Sequence, residues 1–373
     1  MKEIRGVLKL VAELREGETA VLATVVDLQG SGYRLPGARM LITAAGDTIG
    51  TVSGGCLEAD VLERAKRVLD TGQAEVFTYD TTADENSVFS LNMGCRGLLR
   101  ILLEPVNNDS DVIAALRKVV RDRRNIEMAT VINAGADHDV AVGQRIIVEE
   151  SALEIVGSRS LLKPVPQLHD DLLTFAGVSA GSETIRYQEG EAMIEFVFES
   201  LRPPVLLMVF GAGADAVPLA GLAHDLGWAV RVYDHRPAFV TSERFPKANE
   251  ATLLDRDEAV EMAADSLTAI VLMNHNYDRD KVMILPALSS KAFYVGALGP
   301  KIRTKQILDE HRTGGGTIDE SSLARLRAPA GLDIGGDSPE TIALSILAEI
   351  QSVLKNRGGC PLRDRKAPIY DHK

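Results

Sequence analysis

Val205-Leu206-Leu207-Met208-Val209-Phe210-Gly211-Ala212-Gly213-Ala214-Asp215-Ala216 is an uncharged apolar run, then two glycines one residue apart, then the start of a helical pattern. A run of this length bounded by a glycine turn reads as a buried strand. Gly211 permits a tight turn, Gly213 lets backbone N–H groups approach a phosphate, and the small Ala216 lets the following helix pack on the strand. The helix is predicted over 215–226. A second strand, 229–233, leads into Asp234, an acid placed to bind ribose hydroxyls, with Arg236 two residues on either as a phosphate partner or in solvent.

The same alternation continues outward from this unit. Strands are predicted over 268–273 and 292–295, and helices over 256–264 and 303–311. A last helix opens at Ser338-Pro339-Glu340, where Ser suits the N-cap, Pro the first helical position and Glu the helix dipole. Strand and helix in alternation imply a mostly parallel sheet with right-handed crossovers, hence a Rossmann-like C-terminal domain over 201–373. The segment 203–223 is apolar enough to suggest a membrane span, but Gly211, Gly213, Asp215 and Pro218 read as strand, turn and helix.

Upstream of Leu201-Arg202-Pro203-Pro204 the pattern changes to a mixed α/β domain, 1–200. Ile4, Val7, Leu8, Val11 and Leu14 recur at helical spacing behind a charged N-terminus, which predicts an amphipathic helix and not a signal peptide. Strands are predicted over 19–26, around Gly46-Asp47, and over 74–79, 98–103, 128–132, 140–148, 184–187 and 192–198. Helices are predicted over 57–69 and 112–120, the region 161–181 is weakly patterned, and no internal sequence repeat is visible.

This half carries the candidate thiols. Thr51-Val52-Ser53-Gly54-Gly55-Cys56-Leu57-Glu58 ends a strand-like run and enters a helix, so Cys56 stands among unpaired backbone N–H groups at the positive end of a dipole. Both favour thiolate, the form that attacks sulfur or binds metal. The dipole contributes about 0.3–1 kcal/mol, less than one pKa unit, so position alone makes Cys56 available and not highly activated. A small buried residue closing a turn is the alternative. Met93-Gly94-Cys95-Arg96-Gly97 sets a second cysteine in a glycine turn; the two are too far apart for a C-x-x-C zinc site.

Other loops suit anions. Gly30, Ser31 and Arg34 sit in Gly30-Ser31-Gly32-Tyr33-Arg34-Leu35-Pro36-Gly37, a turn with one cation that can cradle an anion or serve structure alone. Gly296-Ala297-Leu298-Gly299-Pro300-Lys301-Ile302-Arg303 follows a strand, so Gly299, Lys301 and Arg303 form either an anion grip or a solvated helix start. His275, in Asn274-His275-Asn276-Tyr277-Asp278, can touch a ligand or lie in a helix-capping loop.

Composition narrows the classes. The chain has 373 residues, a net charge of −12 and no basic block, which speaks against nucleic acid. Three cysteines in this length speak against a disulfide framework and for a reducing cytoplasm. No His-Glu-x-x-His is present.

Taken together, these motifs resemble the XdhC/CoxI family of accessory factors for molybdenum hydroxylases such as xanthine dehydrogenase. The resemblance rests on Gly30-Ser31 with Pro36-Gly37-Ala38, on Val52 to Glu58, on Gly94-Cys95-x-Gly97 and on Phe210 to Leu219. It continues through Leu226-Gly227-Trp228, Asp234-His235-Arg236-Pro237, Tyr294 to Gly299, Pro329 to Gly335 and Pro339 to Ala343. Arg96 stands where the family usually has glycine, Arg34 where it often has two arginines, and Ala214 where many relatives have histidine.

The resemblance implies a cytoplasmic maturation factor, without turnover of its own, that binds molybdenum cofactor. Such a factor holds the cofactor while its terminal sulfur is installed and inserts it into the apo-hydroxylase. It implies Cys56 as the metal ligand or guard of the sulfido group, with Cys95 beside it in function. It implies a cofactor-binding set of Gly30, Ser31, Arg34, Gly54, Gly55, Gly211, Gly213, Asp215, Asp234, Arg236, His275, Gly299, Lys301 and Arg303. Expected partners are the large subunit of the apo-enzyme, a cysteine desulfurase and a second copy of the chain, with neither nucleic acid nor membrane among them. Two rivals stand beside this reading: an NAD(P)-dependent oxidoreductase using the Gly211 turn and Asp234, and a scaffold bridging the desulfurase and its target.

Overall fold

The computed structural model describes residues 1–30, 33–55, 57–80, 97–135, 140–149, 155–178, 181–189, 192–255 and 262–366. They divide into two compact units, Met1–Pro203 and Pro204–Lys373. Among them no helix is long and apolar enough to cross a membrane.

The first unit runs α1 (Lys2–Ala12), β1 (Ala20–Gly30), β2 (Arg39–Ile42), β3 (Thr48–Gly50), α2 (Glu58–Thr71), β4 (Glu75–Asp80) and β5 (Gly97–Val106). It continues α3 (Asp111–Arg121), β6 (Ile126–Ala134), β7 (Arg145–Glu149), β8 (Ile155–Gly157), a 3-10 turn at Arg159–Leu162, α4 (Leu168–Val178), β9 (Ser182–Glu189) and β10 (Ala192–Leu201). The run from α3 to β10 repeats that from α1 to β5. The two sheets have orders β3-β2-β1-β5-β4 and β8-β7-β6-β10-β9, the same arrangement with each strand replaced by its counterpart.

Register makes the correspondence residue by residue. Thr24 faces Arg39 as Thr130 faces Arg145. Both central strands break register at the same place, between Val25 and Asp27 in β1 and opposite Glu195/Phe196 in β6. The buried charges are exchanged between the copies. Arg39 of β2 donates to both carboxylate oxygens of Glu199 on β10, at 2.8 and 2.9 Å, and Arg145 of β7 donates to Glu104 on β5. Arg100 and Glu195, at equivalent positions, pair with each other at 2.7 Å. Reciprocal contacts of this kind are those of a two-fold-related pair. Val26 and Leu102 of one copy pack with Ile132 and Val197 of the other in a shared apolar seam.

In the second unit, β11 (Leu206–Phe210), α5 (Ala216–Asp225), β12 (Ala229–Asp234), β13 (Glu250–Leu253), β14 (Thr268–Leu272), α6 (Tyr277–Ser289) and β15 (Tyr294–Ala297) follow in order. Then come α7 (Lys301–Thr313), α8 (Glu320–Ala324), β16 (Leu326–Arg327) and α9 (Pro339–Leu354). All six strands are parallel, in the order β13-β12-β11-β14-β15-β16. Counted by appearance that is third, second, first, fourth, fifth, sixth, the arrangement of doubly wound dinucleotide-binding sheets. The predicted Rossmann-like class is what forms.

Leu207, Val209, Val230 and Val232 pack one face of the sheet under α5 and α9, while Met208, Ile270 and Leu272 pack the other with Met283 and Ile284 of α6. Ser338 caps α9 in a reciprocal box with Thr341. Two predicted elements fail in part: of the helix expected over 256–264, residues 262–264 are not helical and 256–261 lie outside the described residues, and the strand expected over 140–148 forms only over Arg145–Glu149, after a turn at 142–143.

Candidate functional site

In the first unit the turn after β3 is organised by Glu58, the first residue of α2. Its carboxylate accepts from the backbone N–H of Ser53 (2.9 Å), Gly54 (3.1 Å) and Gly55 (2.8 Å), from the Thr51 hydroxyl and from the Ser53 hydroxyl. Leu57 N–H donates to Ser53 Oγ at 2.9 Å. The chain thus fills its own amide nest with its own anion. Burial opposes ionisation of Glu58, but the Ser53 and Thr51 hydroxyls and the Ser53 N–H outweigh it and hold the pKa at about 2.

The β1–β2 loop reaches this turn. Gly54 has φ +101°, and a side-chain carbon there would lie 2.5–2.9 Å from three ring carbons of Tyr33, so the tyrosine ring rests on bare backbone. Arg34 turns the other way and grips Glu3 of α1 through both carboxylate oxygens at 2.5 and 2.6 Å. Gly30 ends β1. Cys56, Cys95 and Ser31 lie outside the described residues; Gly55 and Leu57, which flank Cys56, are placed.

In the second unit the predicted residues gather at the carboxyl ends of β11, β12 and β14, where the strand order reverses. Gly211 has φ +108°; a side-chain carbon would strike the Met273 carbonyl and come within 2.8 Å of Asn274 N, so only glycine lets β11 and β14 end this close together. Gly213 faces His275, whose Cδ2 is 3.8 Å from where a Gly213 side chain would begin. His275 holds a left-handed backbone (φ +51°), and its Nε2 lies 3.1 Å from Asp215 Oδ2.

Asp234 is committed internally. Buried to 3% exposure, it accepts from Ala212 N–H of the glycine turn at 2.7 Å and from Arg236 through the backbone N–H, Nε and a guanidinium N–H at 2.8–2.9 Å. Burial opposes its charge, but the Arg236 side chain and the two backbone donors prevail and hold its pKa at about 2. Arg236 also lies over Phe239, 3.9 Å from the ring centre, with Arg244 at 4.9 Å from the same ring and donating to Ala212 O at 3.2 Å.

The α7 cations part company. Arg303 turns back to Asp280 of α6 (3.1 Å) and to the Leu298 carbonyl, and Asn274 donates to the same Asp280 at 3.1 Å. Burial pushes the Asp280 carboxyl up, against the Asn274 hydrogen bond and the Arg303 charge. Lys301, beside Gly299, is exposed and has no ion pair among the described residues.

The structure therefore brings together Gly211, Gly213, Asp215, Asp234, Arg236 and His275, and links the His275 loop to Arg303 through Asp280. Sequence reading did not assign Glu58 its clamp, although an acid in the first turn after a Ser/Gly stretch carries that signal. It also left out Tyr33, Asp280, Phe239 and Arg244, which have no local signature and come into the site only through the fold.

Residues 207–350 match the family described as XdhC Rossmann domain, and residues 13–80 match the XdhC and CoxI family. A protein of Bacillus subtilis (strain 168) named as a probable xanthine dehydrogenase subunit is 30% identical over 91% of this chain and 95% of its own length. The molybdenum cofactor insertion chaperone PaoD of Escherichia coli (strain K12) is 24% identical over 94% of this chain and 88% of its own. A crystal structure described as a xanthine dehydrogenase from Bacillus halodurans superposes with a TM-score of 0.72 over 96% of this chain and 97% of that one, at 24% identity, a likeness of fold.

Proposed function

This chain belongs to the XdhC and CoxI family, and we propose that it binds molybdenum cofactor, shields it while the terminal sulfur is installed, and inserts it into a xanthine dehydrogenase-type hydroxylase in the cytoplasm. The observation that carries the reading is the Thr51–Leu57 turn, fixed by Glu58 around the position where Cys56 stands in the sequence. A soft thiolate suits a molybdenum centre already carrying sulfur ligands, and a single protein donor suffices for a metal that travels as cargo. The near end-to-end match to a protein named as a cofactor insertion chaperone supports the same role.

The deciding experiment co-produces the chain with cofactor biosynthesis and measures bound molybdenum and oxidised-pterin fluorescence. Near-stoichiometric pterin in the wild type and marked loss in Cys56→Ala is the expected result. Neither molybdenum nor pterin above background would end the proposal. Sulfur delivery by a cysteine desulfurase forms part of it, tested by pull-down. Binding that survives loss of both Cys56 and Cys95 favours the bridging scaffold instead.

One observation keeps a second reading, NAD(P)-dependent oxidation, in play: the strand order and glycine turn are those of dinucleotide sites. Against it, the Asp234 carboxylate that would take ribose hydroxyls is already occupied by Ala212 N–H and Arg236. Trp228 precedes β12, at the amino ends of the strands and about 20 Å from the turn at 3.3 Å per residue. Its emission is therefore a poor reporter, and NADH's own fluorescence is the better one.

A further inference from the structure

We infer that Tyr33 stacks on the flat pterin ring of the cofactor, and that the phosphate of that ligand is held away from the Gly54–Gly55 turn. The inference rests on the cofactor-binding reading above and adds to it an orientation.

The turn has no room for a second anion. The N–H groups of Ser53, Gly54 and Gly55 all point at Glu58, as do the Thr51 and Ser53 hydroxyls. A phosphate arriving at these amides meets a full negative charge in place of free donors. The neighbouring cation gives no help, because Arg34 is spent on Glu3. What looks in sequence like an anion cradle is an ordered edge whose charges are matched internally.

That edge does present an aromatic face. Tyr33 is 72% exposed, yet its ring is not adrift: one side rests on Gly54, whose backbone Glu58 pins. Leu35, two residues on, is 46% exposed. An aromatic ring backed on one face and open on the other is a stacking platform, and base-like heterocycles gain about 1–3 kcal/mol per stacked ring, roughly 5- to 150-fold in affinity.

The test titrates full-length wild type, Tyr33→Phe and Tyr33→Ser with 6-hydroxymethylpterin, which lacks metal and phosphate, and reads quenching of pterin emission. Molybdenum is measured in parallel on the co-produced wild type. Tyr33→Phe is expected to bind and quench like the wild type. Tyr33→Ser is expected to bind about tenfold more weakly with little quenching and to melt at the wild-type temperature, as befits an exposed side chain. Excess inorganic phosphate is expected to leave the titration unchanged. Equal binding and quenching by Tyr33→Ser, or competition by phosphate, overturns the inference. Failure of the wild type to bind this pterin overturns it alone if the co-produced protein still carries molybdenum, and overturns the cofactor reading as well if it does not.

Discussion

Arg39 pairs with Glu199, 160 residues away in the chain, and Arg145 pairs with Glu104 in the same contact with the two copies exchanged. Arg39 and Glu199 are 2% and 3% exposed, and Arg145 and Glu104 2% and 8%. Two arginines withdrawn from water are tolerated because each meets a carboxylate and also donates to the carbonyl of the glycine two residues before it, Gly37 or Gly143.

Removing one partner of either pair is therefore expected to destabilise the chain strongly. Arg39→Ala or Glu199→Ala each loses about 3–5 kcal/mol in urea unfolding, because a buried charge is left alone. The double variant Arg39→Met/Glu199→Leu recovers most of that loss. A loss below about 1 kcal/mol in the single variants would show that water reaches the pair.

Asp234 gives a pH signature. Its folded pKa of about 2 lies below the ordinary 3.8. The stability it confers is therefore complete above about pH 4 and is lost as pH falls toward 2. Asp234→Asn is expected to lose about 2 kcal/mol at neutral pH, and to show a flatter decline between pH 4 and 2 than the wild type in chemical denaturation. Parallel curves for the two proteins would mean that Arg236 and Ala212 do not favour the ionised form.

Gly211→Ala is expected to lower the melting temperature of the chain. The new methyl strikes the Met273 carbonyl, and the residue must hold φ +108°. Left-handed or stranger backbone at a non-glycine residue costs about 1–3 kcal/mol before the clash is counted. Gly221→Ala, inside α5 with open space around it, serves as the neutral control and is expected to match or exceed the wild type.

At the start of α9, Ser338→Ala breaks the reciprocal box with Thr341. It is expected to cost about 1 kcal/mol, read as a small drop in melting temperature. No change would mean that Pro339 alone fixes the helix start.

The second unit was nearly all legible because its central strands are short apolar runs closed by glycine or acid, a pattern few structures share. The exceptions include the two edge strands: β13 (Glu250–Leu253) is polar and half-exposed and β16 is two residues long, so nothing in their composition marks them as strands, and α6 and α8 were given no range either. In the first unit, α4 was hidden in a stretch with little helical periodicity. The duplication was invisible for a different reason. Buried strand positions accept many apolar residues, so the identities the copies share, Ala23-Thr24-Val25 with Ala129-Thr130-Val131, Gly37 and Arg39 with Gly143 and Arg145, and Glu104 with Glu199, are scattered among unlike residues. Their connections also differ: residues 81–96 separate β4 from β5, whereas residues 190–191 separate β9 from β10. At the candidate sites the sequence could not show that Glu58, Asp234, Asp280 and Glu3 already neutralise the loops it singles out, because those contacts are made by the fold.

The exchanged arginines make the two halves of the first unit hostages to one another. Cut between β5 and α3, either piece would keep one arginine and one glutamate built for a counterpart it no longer has. Mutations that suit one half must remain acceptable to the other, so new chemistry is most freely explored in the connections that the halves do not share. Both cysteines of the first unit stand in connections of that sort.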